Sequence, residues 1–312
     1  MPTTGSSSRT ALTALAAVGA VGVGAAVWGV AIERYLYTVR RHALRILPAG
    51  AAPIRVLHLS DAHMAPWQHR KQRWIASLAS LRPDVVVNTG DNLGHVDGLA
   101  GIRSAFAPFR GIPGVYVHGS NDHVAPSPRN PLLYFTGPSK KKVDAESLDT
   151  SALDDYLTDD LGWSNINNTV ATLEVAGLRI DTFGVNDAHR QWDHLDALPP
   201  LIDDMRRSGD AALTWGVTHA PYRRVLDAFV DDGADAIFAG HTHGGQVRIP
   251  LSPNAIVANC DIPLDQARGL SEWTHDGRTV PLNVSAGIGT SIYTPVRFGC
   301  RPEASLITLL PR

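Results

Sequence analysis

Five short apolar runs in this chain end in residues that bind metals or carry protons, and that pattern restricts the fold more than any other feature. IRVLHLS (54–60) leads into Asp61-Ala62-His63, and DVVVNTG (84–90) leads into Asp91-Asn92. GVYVHG (114–119) leads into Ser120-Asn121-Asp122-His123. LTWGVTH (213–219) ends on His219 before Ala220-Pro221, and DAIFAGH (235–241) continues into Thr242-His243-Gly244-Gly245-Gln246. Each run is short and rich in β-branched residues, the signature of a buried strand. Residues 69–82, with Trp74, Ile75, Leu78 and Leu81, and residues 222–231 carry helical spacing. TLEVAGLRIDTFGV (172–185) reads as a hairpin turning at Ala176-Gly177, and further strands are expected at 280–285 and 304–310. Interleaved strands and helices predict an α/β protein. In that class ligands collect at strand carboxyl ends, where the loops converge.

Taken singly, each motif has a plain structural use. An Asp after a strand is most often a turn or a helix cap, and a lone His is usually a satisfied polar residue. Together they give two carboxylates, one amide and four imidazoles: Asp61, His63, Asp91, Asn121, His219, His241 and His243. Seven ligands exceed one tetrahedral zinc, whereas two five- or six-coordinate ions sharing a carboxylate use them all. Two metals about 3.5–4 Å apart suit in-line attack on phosphorus.

Asp61-x-His63, Gly90-Asp91, Asn121, His219 and Gly240-His241-x-His243 resemble, in order, the motifs of the calcineurin-like metallophosphoesterase superfamily. The resemblance runs from about Ile54 to Leu310. The GHTHGGQ run, the GVND at 184–187 and GIGTSIYTPVRFGCRPEASLITL at 287–309 are similar to a bacterial membrane-associated subgroup, which includes enzymes acting on lipid-linked sugar nucleotides. The resemblance implies two mixed β-sheets packed as a sandwich flanked by helices, with the site at one end. It also implies two divalent ions, one on Asp61, His63 and His243, the other on Asn121, His219 and His241, bridged by Asp91. Manganese, iron, zinc and cobalt all accept such ligands.

The chain departs from the family at one corner. Family members usually read Gly-Asn-His-Asp, where Asn binds metal and His serves the leaving group; this chain reads Gly119-Ser120-Asn121-Asp122-His123. Counting without a gap from Gly114 places Asn121 on the ligand and Asp122 on the catalytic His. Counting from Gly119 places Ser120 and Asn121 there instead. In the first register His123, one place late, or Asp122 with a raised pKa is the candidate general acid. Loss of the usual His favours diphosphates or activated diesters, whose leaving groups need little protonation. Asn92 and Gln246 are candidates for contacts to substrate or to ligand imidazoles, as is Asp187; His58 and His95 are weaker candidates.

Thr10–Ile32 is uncharged over 23 residues, roughly 34 Å of helix against a hydrocarbon core of about 30 Å. It is read as a transmembrane anchor (10–32) after a short tail (1–9), with a cleavable leader ending near Gly29–Ala31 as the alternative. Residues 33–53, with Arg34, Arg40, Arg41 and Arg45, read as a basic juxtamembrane linker, and 54–312 as the metallophosphoesterase domain. The expected location is the cell membrane, single-pass. Basic residues after the span point to a cytoplasmic body, a Cys260–Cys300 disulfide would point outward, and the side stays open. Outside residues 1–50, which hold five Arg and one Glu, the chain has 23 basic and 29 acidic side chains, a net of −6, so no nucleic-acid surface is expected. Residues 137–156 read as an exposed polar insertion. The whole predicts a membrane-anchored dinuclear phosphoesterase acting on phosphodiester or diphosphate bonds of a phosphorylated small-molecule or lipid-linked substrate. A phosphomonoesterase or protein phosphatase, and a non-catalytic metal-binding scaffold, are the rivals.

Overall fold

The two periodicities, two for strands and 3.6 for helices, resolve into two sheets with helices outside them. The computed structural model describes residues 5–128 and 146–312. In the first sheet β1 (Thr38–Leu47), β12 (Glu303–Pro311), β2 (Ile54–Leu59), β3 (Val85–Asn88), β4 (Gly114–Tyr116) and β5 (Trp163–Asn165) lie in that order. β2 to β5 run parallel, and β12 is antiparallel to β2 but parallel to β1. The second sheet is ordered β10 (Gly269–His275), β11 (Arg278–Val284), β9 (Ala236–Ala239), β8 (Leu213–Thr218), β7 (Leu178–Val185) and β6 (Thr169–Val175). Antiparallel hairpins close both of its edges around parallel strands. The β6–β7 hairpin turns at Ala176 (φ 52°) and Gly177 (φ 76°), consecutive left-handed residues as a two-residue type I′ turn requires.

Alternate residues of the strands divide three apolar clusters. Val56, Val87, Val115, Trp215, Val217 and Phe238 fill the space between the sheets. Leu57, Val86 and Tyr116 face α2 (His69–Ser77), α3 (Gly98–Phe106) and α5 (Thr150–Asp155), while Phe183 and Ile237 face α6 (Leu198–Arg207) and α7 (Arg223–Asp231). This is the sandwich of two mixed sheets flanked by helices that the motifs implied. It brings the carboxyl ends of β2, β3, β4, β8 and β9 to one rim.

Some elements differ from the sequence reading. Residues 33–53, read as a linker, contain β1, whose alternation the arginines obscure: Val39 packs under the helices, whereas Leu44 and Ile46 face the inter-sheet core. Arg40 pairs at 3.0 Å with the buried Glu303 of β12. The helix expected over 69–82 ends at Ser77 and continues as a tighter 3₁₀ turn, Leu78–Leu81, before the left-handed Arg82. Of the polar insertion, 137–145 lie outside the described residues, as do residues 1–4 of the expected tail; Asp149 caps α5 by accepting from the Ser151 amide at 3.1 Å. Cys260 and Cys300 are both buried and unpaired.

α1 (Gly5–Val27) continues through a π turn (Trp28–Ile32) and a 3₁₀ turn (Glu33–Tyr35). Leu15–Tyr35 is long and apolar enough to cross a membrane, by length and composition, a test that a leader sequence also passes. The foot of this helix is docked. The buried Gly29 accepts at 3.1 Å from the Arg297 amide, and a Cβ there would lie 3.0 Å from the Arg297 carbonyl oxygen. Glu33, 5% exposed, accepts from Trp28 Nε1 (2.7 Å), Gly299 N (3.0 Å) and Cys300 N (2.8 Å).

A second brace ties β4 to α4 (Ser120–His123), α5 and β5. The buried His118 places Nε2 2.8 Å from Asp154 Oδ1 and Nδ1 3.5 Å from Asp122 Oδ2; Tyr116 and Asn165 donate to the same Asp154 oxygen. Burial by itself would lower the imidazole, but the hydrogen bonds and charges of Asp122 and Asp154 outweigh it and raise it to about 9.

Two outcomes are expected. Glu33→Ala leaves three donors without an acceptor and should destabilise the fold by about 2–4 kcal/mol, read as a lower melting temperature of the full chain in detergent. A folded pKa above the unfolded 6.5 means that His118 contributes stability fully present below pH 6.5 and lost as pH rises through about 9. Unfolding free energies from denaturant titrations should therefore fall across that window by up to about 3 kcal/mol, and His118→Gln should remove the slope.

Candidate metal centre

Six of the seven candidate ligands sit in the loops just after their strands and Asn121 in the short α4, and at five of them the backbone is bent out of the ordinary regions. Asp61 (φ 49°), His63 (φ 40°), Asp91 (φ 52°), His241 (φ 67°) and His243 (φ 49°) are all left-handed, a conformation that non-glycine residues adopt only when the surroundings enforce it. Glycines supply the clearance: a Cβ on Gly119 would lie 2.2 Å from Asp91 Oδ1, and one on Gly240 would lie 2.0 Å from Ser60 Oγ.

Asp91 is the hub. Its Oδ2 lies 3.5 Å from both His63 Nε2 and His219 Nε2 and accepts from Asn121 Nδ2 at 2.6 Å; its Oδ1 accepts from the Asn121 amide at 2.8 Å. His63 and His243 point their Nε2 atoms at each other, 3.2 Å apart, and His243 Nε2 lies 3.7 Å from Asp61 Oδ1. One ligand atom from each of Asp61, His63 and His243 lies within 4.8 Å of the others, and the same holds for Asp61, Asp91 and His219. His241 joins this group through its ring, 5.1 Å from that of His219.

The outer atoms are held as ligands require. His219 Nδ1 bonds the Thr89 carbonyl at 2.7 Å, turning Nε2 inward. Asp61 Oδ2 accepts from the His241 amide at 3.1 Å and from Ser60 Oγ. The inward atoms Asp61 Oδ1 and His219 Nε2 are buried with no hydrogen-bond partner among the described residues. Buried orphan atoms of this chemistry, converging with neutral imidazoles, fit divalent metal ions. Burial pushes His63 down to about 4 and His241 to about 3, and lowers His243 as well, so these imidazoles are neutral at pH 7. Burial would lower His219 too, but Asp91 reverses this and holds it well above its usual value; the same pair holds Asp91 well below the carboxylate range despite burial. Burial, opposed by His219 and aided by Asp91, raises Asp61 to about 6.

The remaining candidates stand elsewhere. Asp122 is fully buried, and its carboxylate accepts from the amides of Asn92 (2.7 Å), Leu93 (3.1 Å) and Gly119 (3.1 Å). It thus fixes the loop after Asp91, and neither oxygen is directed at the ligands as a general acid would require. His123 bonds Thr150 Oγ1 through Nδ1 at 3.1 Å, its Nε2 has no hydrogen-bond partner among the described residues, and its ring packs edge-on to Trp192 at 5.1 Å. Asn92 pairs its amide with that of Asn88, and Gln246 donates to the Thr294 carbonyl at 2.9 Å, so neither bonds a ligand imidazole. Asp187 accepts from the Ser120 and His189 amides. His58 is a strand residue held by Thr89 and Asn283; His95 packs on Trp67.

Three residues emerge only in three dimensions. Arg297, wholly buried, lies 3.2 Å from His243 Nδ1 through one guanidinium nitrogen and donates to the His243 carbonyl at 3.0 Å. Lys71 donates to the carbonyls of Ala62 (2.6 Å) and His63 (3.1 Å); burial, with Arg297 and Arg34 nearby, lowers it to about 7. His189 stacks its ring 4.6 Å from His241, with Nδ1 2.9 Å from the Tyr222 hydroxyl. The GVND run stops two residues short of it, Arg297 lies within the 287–309 run without being singled out there, and no local signal marks Lys71.

The family model for calcineurin-like phosphoesterases matches residues 54–245. The chain is 22% identical over 290 residues to the uncharacterised metallophosphoesterase YkuE of Bacillus subtilis, covering 89% of this chain and 87% of that protein. It is 23% identical to YkoQ of the same organism, over 81% of this chain and 82% of that one. Among solved structures, the NAD nucleotidase of Haemophilus influenzae superposes with a TM-score of 0.45 at 12% identity, over 76% of this chain and about half of that one (51%). A purple acid phosphatase from yellow lupin gives 0.38 at 13%, over 63% and 39%. With the family's motifs carried through five strand ends and its model matched over more than half of the sequence, the chain belongs to the calcineurin-like phosphoesterase family.

Proposed function

We propose that this chain is a membrane-held, metal-dependent hydrolase that uses two divalent ions to cleave phosphodiester or diphosphate bonds. The observation that carries this reading is the convergence on Asp91: His63, His219 and Asn121 all meet its carboxylate, and Asp61 completes a ligand cluster on each side. Asp61, His63, Asp91, Asn121, His219, His241 and His243 would hold divalent ions, which would supply Lewis acidity and a nucleophile at neutral pH. The chain's own residues do the positioning. Thr89 and Arg297 orient His219 and His243 from behind, while Lys71 and Asp122 pin the loops that carry His63 and Asp91. A diester or diphosphate fits better than a monoester because the usual imidazole acid is displaced, and leaving groups stable as anions need it least. With Asp122 committed to backbone amides, His123 is the proton donor of this reading, its Nε2 having no hydrogen-bond partner among the described residues. The apolar helix, docked through Glu33, would keep the site at a bilayer surface.

Full-length protein in detergent with Mn²⁺ is expected to hydrolyse bis(p-nitrophenyl) phosphate, and Asp91→Asn to lower kcat at least about a hundredfold while the protein stays folded. Absence of turnover with every divalent metal tried would favour a non-catalytic role. His123→Ala is expected to slow an alkyl diester about tenfold more than the aryl one. Equal losses would remove His123 as the acid, and His189→Ala run alongside would then show whether the neighbouring imidazole has that part.

A further inference from the structure

Where the apolar N-terminal helix ends, a second concavity of about 290 Å³ opens beside the metal ligands. Arg34, Tyr35, Tyr37, Trp67, Arg70 and Lys71 line it, and the turn at 288–290 closes one side. Two of these six are arginines, and no carboxylate lines the pocket. Both arginines gather over one ring, Arg34 Cζ 4.4 Å and Arg70 Cζ 5.5 Å from the Tyr35 centroid. Among the described residues, the ion pairs of arginine involve other positions, and Arg34 Nε is buried without a hydrogen-bond partner. Two guanidiniums beside one ring, without a carboxylate partner among the described residues, favour an anion within reach of both.

The pocket's place decides which anion. Tyr35 is the last residue of the stretch long enough to cross a membrane, and Trp67 on the rim is 58% exposed. Ile249 and Leu251, also exposed, follow Arg248, whose amide bonds the Phe298 carbonyl in the loop that grips the helix. The opposite wall belongs to the metal centre: the Gly289 amide donates to the Asp61 carbonyl at 2.6 Å, and Lys71 holds the carbonyls of Ala62 and His63.

We propose that this pocket binds the phosphate headgroup of an anionic membrane amphiphile and presents it to the adjacent metal centre. The proposal rests on the hydrolase reading above and narrows its substrate class to amphiphiles that carry phosphate. The guanidiniums take the phosphate oxygens, the Tyr35 and Trp67 rings sit at headgroup depth, and the acyl chains run along the docked helix.

The test is titration of the full-length chain in neutral detergent with dihexanoyl phosphatidic acid, with dihexanoyl phosphatidylcholine and inorganic phosphate for comparison. The phosphatidic acid should bind tightest, and the double substitution Arg34→Gln/Arg70→Gln should weaken it about tenfold or more. Asp91→Asn should keep the binding, which separates this pocket from the metal centre. Should the double variant melt early, Arg70→Gln alone, at an exposed position, carries the same expectation at smaller size. Equal affinity for inorganic phosphate and the lipid, or unchanged lipid binding in the arginine variants, would overturn the proposal. Hydrolysis of the aryl diester by the unsubstituted chain reports on the metal centre separately. Lipid binding without hydrolysis would sink only the hydrolase reading, and hydrolysis with arginine-independent lipid binding would sink only this one.

Discussion

Arg297 is a buried cation whose two terminal nitrogens are bonded by loop carbonyl groups. Its guanidinium donates to Gly287 (3.2 Å), Gly289 (2.5 Å) and His243 (3.0 Å), and it also approaches the His243 ring. Removing such a charge from water is expensive unless its donors are occupied, so three separate loop carbonyls are obliged to converge on it. One of those loops carries a candidate metal ligand, another lies against Asp61, and the Arg297 amide itself is bonded to the foot of the N-terminal helix. The metal centre and the helix are therefore parts of one packed unit rather than a domain hung from a tether.

The same economy appears in the backbone. Five candidate ligands occupy left-handed conformations, each stored against the tendency of the chain to relax. What holds them is a set of buried polar groups with short, specific bonds: Asp122 on the amides after Asp91, Thr89 on His219, Lys71 on the loop of His63. These groups bond the backbone or the outward ring nitrogen of the candidate ligands, and so define where the inward atoms point.

The candidate ligand positions stand out in the sequence because each follows a short β-rich run and most stand beside glycine, and the fold gathers them at one rim. β1 does not stand out, because Arg40, Arg41 and Arg45 mask an alternation that only pairing with β12 makes apparent. Asp122 illustrates a different limit. A carboxylate beside a metal motif reads as chemistry, but three backbone donors reaching it from two loops give it a structural job that no local pattern encodes. Arg297 lies 54 residues from His243, and His118 finds Asp154 across an insertion. Such partners are set by the sheets that bring distant loops to one rim.

The docked foot of the helix also bears on maturation. A leader peptidase cutting near Gly29–Ala31 would cut inside a turn whose residues are already bonded to the domain. It would remove the Gly29 acceptor from the Arg297 amide and the Trp28 donor from Glu33. Processing at that point would take one backbone bond from the loop of Arg297 and one donor from Glu33, so a cut that frees the chain from its apolar helix would also alter the packing behind the candidate ligand His243.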